Sequence, residues 1–359
     1  MITHKITILP GDGIGPEVIA EALKVMHAVG RQFEVKFDTI EALVGAIAID
    51  SCGDPFPKET ETLCKGADAI LFGAIGDPKY DNDPSAKVRP EQGLLRMRKT
   101  LGLYANIRPV KTYPALQKNS PIKEEIIEGT DFIVFRELTG GIYFGQPSQI
   151  HEDGQSAIDT CTYTIDEIRR IAKRAFTASQ DRNKKLTLVD KANVLATSQL
   201  WRKVVQNMAA DYPDVSVETM FVDNAAMQLI LNPSQFDVIL TENMFGDIIT
   251  DEASVITGSI GLMPSASIGD SVGLYEPIHG SYPQAAGLNK ANPMATILSM
   301  AMMLEHSFKM KEASESVHRA VEEALESGKV TEDINPDNPL TTEEVGNAIA
   351  ASITSTTLA

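Results

Sequence analysis

The stretch Leu9-Pro10-Gly11-Asp12-Gly13-Ile14-Gly15-Pro16-Glu17 decides how this chain is read. An apolar run at 6–9 precedes it as a strand, and residues 16–29 follow with the spacing of an amphipathic helix. Glycine permits the tight turn between them, and Pro16 suits the first helical position. The spacing is Gly-x-Gly-x-Gly-Pro. A dinucleotide-binding Rossmann turn requires Gly-x-Gly-x-x-Gly, so the spacing is wrong for that fingerprint, and a structural glycine-rich turn is the plainer reading.

Working outward, the same alternation continues. Apolar, β-rich runs at 33–37, 69–73, 105–110, 132–136, 186–190 and 238–241 read as strands. Segments 90–101, 165–179, 198–210, 247–256, 293–308 and 311–327 read as helices. Alternation of this kind predicts an α/β fold with a largely parallel sheet. At 359 residues the chain exceeds one compact core and implies two domains, or one divided one. Without a long linker, the two are expected to be interleaved, with a cleft between them.

Composition removes several function classes. The 32 basic and 49 acidic residues leave a net charge of −17, the wrong sign for gripping a phosphate backbone. The three cysteines, Cys52, Cys64 and Cys161, have neither the number nor the spacing of a disulfide framework or a structural zinc site. No apolar run approaches the roughly 20 residues of a membrane span, and the N-terminus reads as a strand rather than a signal peptide. The expectation is a cytoplasmic protein that binds neither membrane nor nucleic acid.

Several constellations can carry chemistry. Glu91, Leu94, Leu95 and Arg98 stand at offsets of one helical face, where an arginine beside a leucine patch can hold a carboxylate and accept a hydrocarbon branch. The plainer reading is a helix packing its leucines inward with its charges outside. Arg108 and Arg136 recur at strand-like positions, and Arg136 closes the apolar run Phe132-Ile133-Val134-Phe135. The carboxyl ends of strands are where open α/β sheets bind ligands, and a buried arginine needs an anion. That anion is either a ligand or a neighbour such as Glu137.

Tyr143 follows Gly140-Gly141, so a ligand can approach the backbone beside a phenol, a possible proton donor. Lys191 ends an apolar run, as a general base or as a surface charge. Asp247 and Asp251 are four apart at the expected opening of a helix. Like charges at that spacing repel, and a hard divalent cation would relieve them, with Asp223 as a third oxygen ligand. The helix dipole alone is the competing explanation. Glu276-Pro277-Ile278-His279-Gly280-Ser281 reads as a shaped loop able to wrap a nucleotide.

In this order the segments LPGDGIGPEV, RPEQGLLRMRK, ANIRPVKTYP, FRELTGGIYFG, VDKANVL, FGDIITDEAS, GLMPSAS and EPIHGS resemble the β-decarboxylating dehydrogenases, and most closely their isopropylmalate branch. The resemblance implies a two-domain α/β fold of that family's own type. Residues 1–103 plus 258–359 would form a large cofactor-binding domain, and 104–257 a small domain carrying the dimer interface. It implies Arg98, Arg108 and Arg136 as a clamp on substrate carboxylates, and Asp223, Asp247 and Asp251 as ligands of Mg²⁺ or Mn²⁺. Lys191 would be the base and Tyr143 the acid, with Lys191 and Asp223 entering from the second subunit of a homodimer. Glu91, Leu94, Leu95 and Val194 would recognise an isopropyl branch. NAD contacts would fall on Ile14, Gly76, Glu91, Glu276, His279, Gly280, Ser281, Gln284 and Asn292.

The activity so implied is NAD-dependent oxidative decarboxylation of 3-isopropylmalate in leucine biosynthesis. One departure concerns the coenzyme. Gln284 stands where these relatives place an aspartate that repels the 2′-phosphate of NADP. The lysine–tyrosine pair of NADP-using relatives is also absent, since Gln284 and Ala285 occupy it. Relatives acting on isocitrate, homoisocitrate, malate or tartrate share the charged residues. Leu94 separates them, because a leucine leaves a third carboxylate unsatisfied. From another class, a non-catalytic metal-and-anion binder would be expected to have lost Lys191 or Tyr143.

Overall fold

The computed structural model describes residues 2–82 and 88–355. The strands are β1 (Thr3–Gly11), β2 (Lys36–Glu41), β3 (Ala69–Ala74), β4 (Ala105–Lys111), β5 (Asp131–Glu137), β6 (Ser148–Ile150), β7 (Ala157–Asp159), β8 (Lys185–Asp190), β9 (Ser216–Phe221), β10 (Val238–Thr241), β11 (Pro264–Ile268) and β12 (Gly273–Pro277). They divide between two compact units, Met1–Leu103 with Ser259–Ala359, and Tyr104–Gly258.

In the first unit the strand order is β2-β1-β3-β12-β11, parallel except for the β12–β11 pair. Helix Gly15–Gln32 buries Val18, Ala22, Val25 and Val29, the face set by its apolar spacing. Helix Met294–His306 is buried from Met294 through Leu304 and carries no charge along that length, as a core helix must. Leu9, Phe56, Ile70, Phe72, Met97 and Leu274 belong to one cluster, each buried side chain contributing about 1.5–3 kcal/mol.

The second unit has the order β4-β5-β10-β8-β9, with only β4–β5 antiparallel. Parallel strands covered on both faces read as continuous apolar runs, and all four residues of β10 are buried. A separate antiparallel hairpin pairs β6 with β7. None of the described helices is long and apolar enough to cross a membrane.

Some boundaries differ from the sequence reading. The run at 33–37 is mostly not strand: Phe33 caps the first helix, Glu34 takes φ +54°, and β2 starts at Lys36. The helix expected from 247 begins at Asn243, with Glu242 as its N-cap accepting from the Phe245 amide at 2.9 Å. Asp247 and Asp251 therefore lie beyond its first turn, where the dipole's support has faded.

Candidate active site

In the second unit, antiparallel pairing sets Asn106 opposite Arg136. Opposed residues share a face, and so does Arg108, two residues along the strand. Arg136 is only 3% exposed. Its Nε donates to the backbone carbonyl of Asn243 at 2.9 Å and to Asn243 Oδ1 at 3.2 Å. Its Nη2 reaches the same Oδ1 at 2.9 Å, and Nη1 donates to Asp247 Oδ1 at 2.5 Å. The partner suggested by adjacency, Glu137, is not the one used. Successive strand residues point to opposite faces, and the Glu137 carboxylate turns to the amides of Thr139 and Gly140 and to Arg170.

Arg108 Nε donates to Asn106 Oδ1 at 2.7 Å, and Nη1 donates to Thr250 Oγ1 at 2.5 Å and to Asp251 Oδ1 at 3.3 Å. Tyr143, after the Gly140-Gly141 pair, donates its hydroxyl to Asp247 Oδ2 at 2.9 Å. Burial, then the Asp247 charge, raises the Tyr143 phenol above its ordinary value, so it holds its proton at neutral pH. One face of one sheet thus groups two guanidinium groups, two carboxylates and a protonated phenol. The arginines compensate part of the repulsion between Asp247 and Asp251.

The same unit holds a second pair. Lys191, the residue after β8, bonds through Nζ to Asp223 Oδ1, near the start of helix Val222–Leu231. That bond lowers the Asp223 carboxyl from its ordinary value. The Lys191 ammonium also lies 5.9 Å from the Phe221 ring centroid. Val194, three residues on, is exposed. Among the described residues, no three His, Cys, Asp or Glu side chains of a single chain come together as a metal cage.

The first unit carries the loop residues. A cavity of about 720 Å³ is lined by Ile14, His279, Gly280 and Asn292, together with Glu332 and Asp333. The wall is tied at its base: the Ile14 amide donates to the Ser281 carbonyl at 2.8 Å. A Cβ on Gly13, which takes φ +58°, would overlap that same carbonyl oxygen, so the turn needs glycine there. Asp12 is structural, accepting from the amides of Ala46, Ile47 and Gly76 at 2.9–3.0 Å. A Cβ on Gly76 would lie 3.0 Å from Glu91 Oε1 and 3.6 Å from Ser281 Oγ, which brings those three positions together.

His279 Nε2 is buried and has no hydrogen-bond partner among the described residues, and burial lowers the imidazole pKa, keeping the ring neutral. Arg98 Nη2 pairs with Glu276 at 3.1 Å, and its buried Nε also lacks a partner among the described residues. On the same helix Leu94 is half-buried and rests against the main core cluster. Gln284 is exposed and does not line the cavity, whereas Lys290 does.

Three positions at these candidate sites escaped the sequence reading. Asn243 is the node between Arg136 and the Tyr143 loop, because its Nδ2 donates to the Gly140 carbonyl at 3.1 Å. Tyr163 accepts from the Asn243 amide at 3.0 Å and donates to Glu242 at 3.1 Å, fastening the helix that carries both aspartates. Glu332 is the third. Of the three, only Asn243 had a signal, standing two residues before the Phe245-Gly246-Asp247 segment.

The isocitrate/isopropylmalate dehydrogenase family model matches residues 5–349. A protein of Bacteroides fragilis named 3-isopropylmalate dehydrogenase is 55% identical over 344 residues, covering 95% of this chain and 96% of its own. One of that name from Clostridium acetobutylicum is 53% identical over 358 residues, covering 98% and 100%. The crystal structure of isocitrate dehydrogenase from Methylococcus capsulatus superposes with a TM-score of 0.87 at 34% identity, covering 98% of this chain and 99% of that one. On both sequence and architecture, the chain belongs to the isocitrate/isopropylmalate dehydrogenase family.

Proposed function

We propose that this chain oxidises 3-isopropylmalate with NAD and decarboxylates it to 4-methyl-2-oxopentanoate, a step of leucine biosynthesis in the cytoplasm, as a homodimer that requires Mg²⁺ or Mn²⁺. The observation that carries this is the grouping of Arg108, Arg136, Tyr143, Asp247 and Asp251 on one face. The relatives named 3-isopropylmalate dehydrogenase favour that substrate, and so does the leucine at position 94.

Asp247 and Asp251 present hard oxygen donors that are partly open to solvent, 36% and 67% exposed, which suits a divalent cation. Two carboxylates leave the set incomplete, and the partner subunit's Asp223 is the proposed third. When bound, the cation supplies Lewis-acid stabilisation of negative charge on the substrate. Two helices favour pairing with a second copy. Val222–Leu231 leaves Met227 and Leu231 exposed, and Asn243–Ser254 leaves Ile248 exposed, an apolar surface that association would cover. In the first unit the cavity has the size of a cofactor site, and the orphaned His279 Nε2 offers an unused polar contact to a nucleotide.

The residues then divide the work. Arg108, Arg136 and Arg98 bind the substrate carboxylates, while Leu94 and Leu95 accept the branch. The partner subunit's Lys191 removes the C2 hydroxyl proton; the chemistry that NAD would supply when bound is acceptance of the C2 hydride. The ketone formed is an electron sink, so the bond from C3 to its carboxylate breaks and carbon dioxide departs. Tyr143 delivers a proton to C3 of the enolate and recovers one from solvent. For the coenzyme, Glu332 and Asp333 set two carboxylates against Lys290 in the cavity wall, a charge balance that disfavours a 2′-phosphate.

A spectrophotometric panel of 2-hydroxy acids with NAD and NADP, with and without chelator, tests this reading. Reduced-nicotinamide absorbance should be greatest with 3-isopropylmalate, NAD and metal, and should vanish with chelator. Faster turnover of isocitrate would overturn the substrate. An NADP preference of tenfold, about 1.4 kcal/mol, would overturn the coenzyme.

A further inference from the structure

Helices Ile165–Asp181 and Ala196–Met208 of the second unit leave a cavity of about 690 Å³ beside them, within the range of small-molecule sites. Its apolar lining comes from Ile165, Leu200, Val204, Met208 and the ring of Tyr212, which stacks on Phe176 at 4.5 Å. Its basic lining comes from Arg169, Lys173 and Lys203, all exposed. Among the described residues, none of these three side chains makes an ion pair or hydrogen bond. Asp166 and Asp211 also line the cavity and pair with none of them. In a chain of net charge −17, leaving three cations unpaired around one hollow concentrates positive potential where an anion can enter.

A fourth cation, Arg170, lines the same cavity and reaches toward the catalytic loop. Its Nη2 donates to Thr139 Oγ1 at 2.5 Å and to Glu137 Oε1 at 3.3 Å, and its guanidinium lies 4.5 Å from the Tyr104 ring centroid. Its Nε is buried without a hydrogen-bond partner among the described residues. Glu137 in turn accepts from the Gly140 amide at 2.7 Å, three residues before Tyr143. A ligand that draws on Arg170 therefore competes with the contacts that shape the turn holding Tyr143.

We propose that this cavity is a regulatory site for an organic polyanion with a flat apolar body, of the nucleoside polyphosphate class, and that Arg170 couples its occupancy to the Tyr143 loop. Phosphates would meet Arg169, Lys173 and Lys203, while the apolar body lies on the Leu200–Tyr212 side. A ligand shifts the loop only by the difference in its affinity for the two arrangements. Binding stands on the cavity alone, whereas any effect on turnover rests on the role proposed for Tyr143.

The test uses the full-length enzyme without metal, with NADH present to fill the cavity in the first unit, and ATP as probe. Calorimetric titration should show binding that weakens at least tenfold in Lys173→Glu/Lys203→Glu, with the melting temperature and basal turnover of that variant unchanged. Arg169→Glu, a single exposed substitution, should weaken binding in the same direction. Adenosine should not bind. Hydrogen exchange should slow in 165–181 and 196–212 on ATP addition and change at 139–143. Equal ATP affinity in the charge-reversed proteins, or protection confined to 260–292, would overturn the site. Protection at both helices with 139–143 unaltered would overturn the coupling. Neither readout uses turnover, so failure here is distinct from failure of the proposed reaction.

Discussion

Asn243→Ala is the substitution that most directly probes how the arginine cluster is held. The side chain is 1% exposed. Its Oδ1 accepts from Arg136 at 2.9 and 3.2 Å, and its Nδ2 donates to Gly140 at 3.1 Å. Truncation removes hydrogen bonds to a charged donor, contributing about 1.5–3 kcal/mol, and orphans a buried carbonyl at about 1–3 kcal/mol. Allowing for overlap between the two, we expect a loss of about 2–5 kcal/mol. Urea unfolding can be followed through Trp201, the only tryptophan, which is buried 5.3 Å from Tyr163 in the same unit. The midpoint should fall with the slope unchanged. KM for the hydroxy acid should rise more than kcat falls, because Arg136 loses its orientation while Lys191 and Tyr143 remain. A stability change below about 0.5 kcal/mol, the size of a neutral surface substitution, would refute the reasoning.

Other consequences follow from the same geometry. Lys191→Ala should fold with an unchanged melting temperature yet lose turnover, and near-normal kcat in a steady-state assay would remove Lys191 from its role. Tyr143→Phe should lower kcat and also alter alkaline stability. The native phenol titrates above its ordinary value near 10, so the unfolded chain ionises first; the stability Tyr143 contributes is intact below that value and lost as pH rises through the native one. Unfolding midpoints measured above pH 10 should therefore fall less steeply in the phenylalanine variant than in the parent. Glu332→Lys should strengthen binding of 2′,5′-ADP relative to 5′-AMP several-fold in a fluorescence competition, and an unchanged ratio would show that Glu332 does not read the ribose.

The parts of the fold legible in the sequence are those where burial writes a pattern. β3 and the Val238-Ile239-Leu240 run of β10 read as apolar because both faces are covered, and helix Gly15–Gln32 shows its buried stripe. β9 was not legible, since Ser216, Glu218 and Thr219 face solvent. β11 was hidden because small residues such as Ser265 and Ala266 carry no strand signature of their own, although neighbours bury them. Gly246 invited the misplaced helix start. It sits inside the helix because a Cβ there would come within 2.5 Å of Arg136 Cγ, and that close approach offsets the cost of glycine, about 1 kcal/mol.

The site was legible as residue types but not as partners. Arg136 could be expected to need an anion, yet neither Asp247 nor the Asn243 node follows from spacing, because they arrive from an element more than a hundred residues away. Asp251 and Arg108 are likewise joined only by packing between β4 and a distant helix. Residues that serve other residues, such as Tyr163 beneath the Gly140-Gly141 turn, leave no motif behind.

The measurement that reaches the centre of this account is turnover by a mixed dimer. Lys191→Ala in one copy is combined with Asp247→Asn in the other, and the heterodimer is isolated with two affinity tags. If the base and the metal-binding carboxylates of each site come from different subunits, one of the two sites regains a full set, and the heterodimer should show about half the wild-type rate. Both parental homodimers should be inactive. If each site is built within a single chain, both sites of the heterodimer are defective, and a rate no greater than that of the parents would contradict the account.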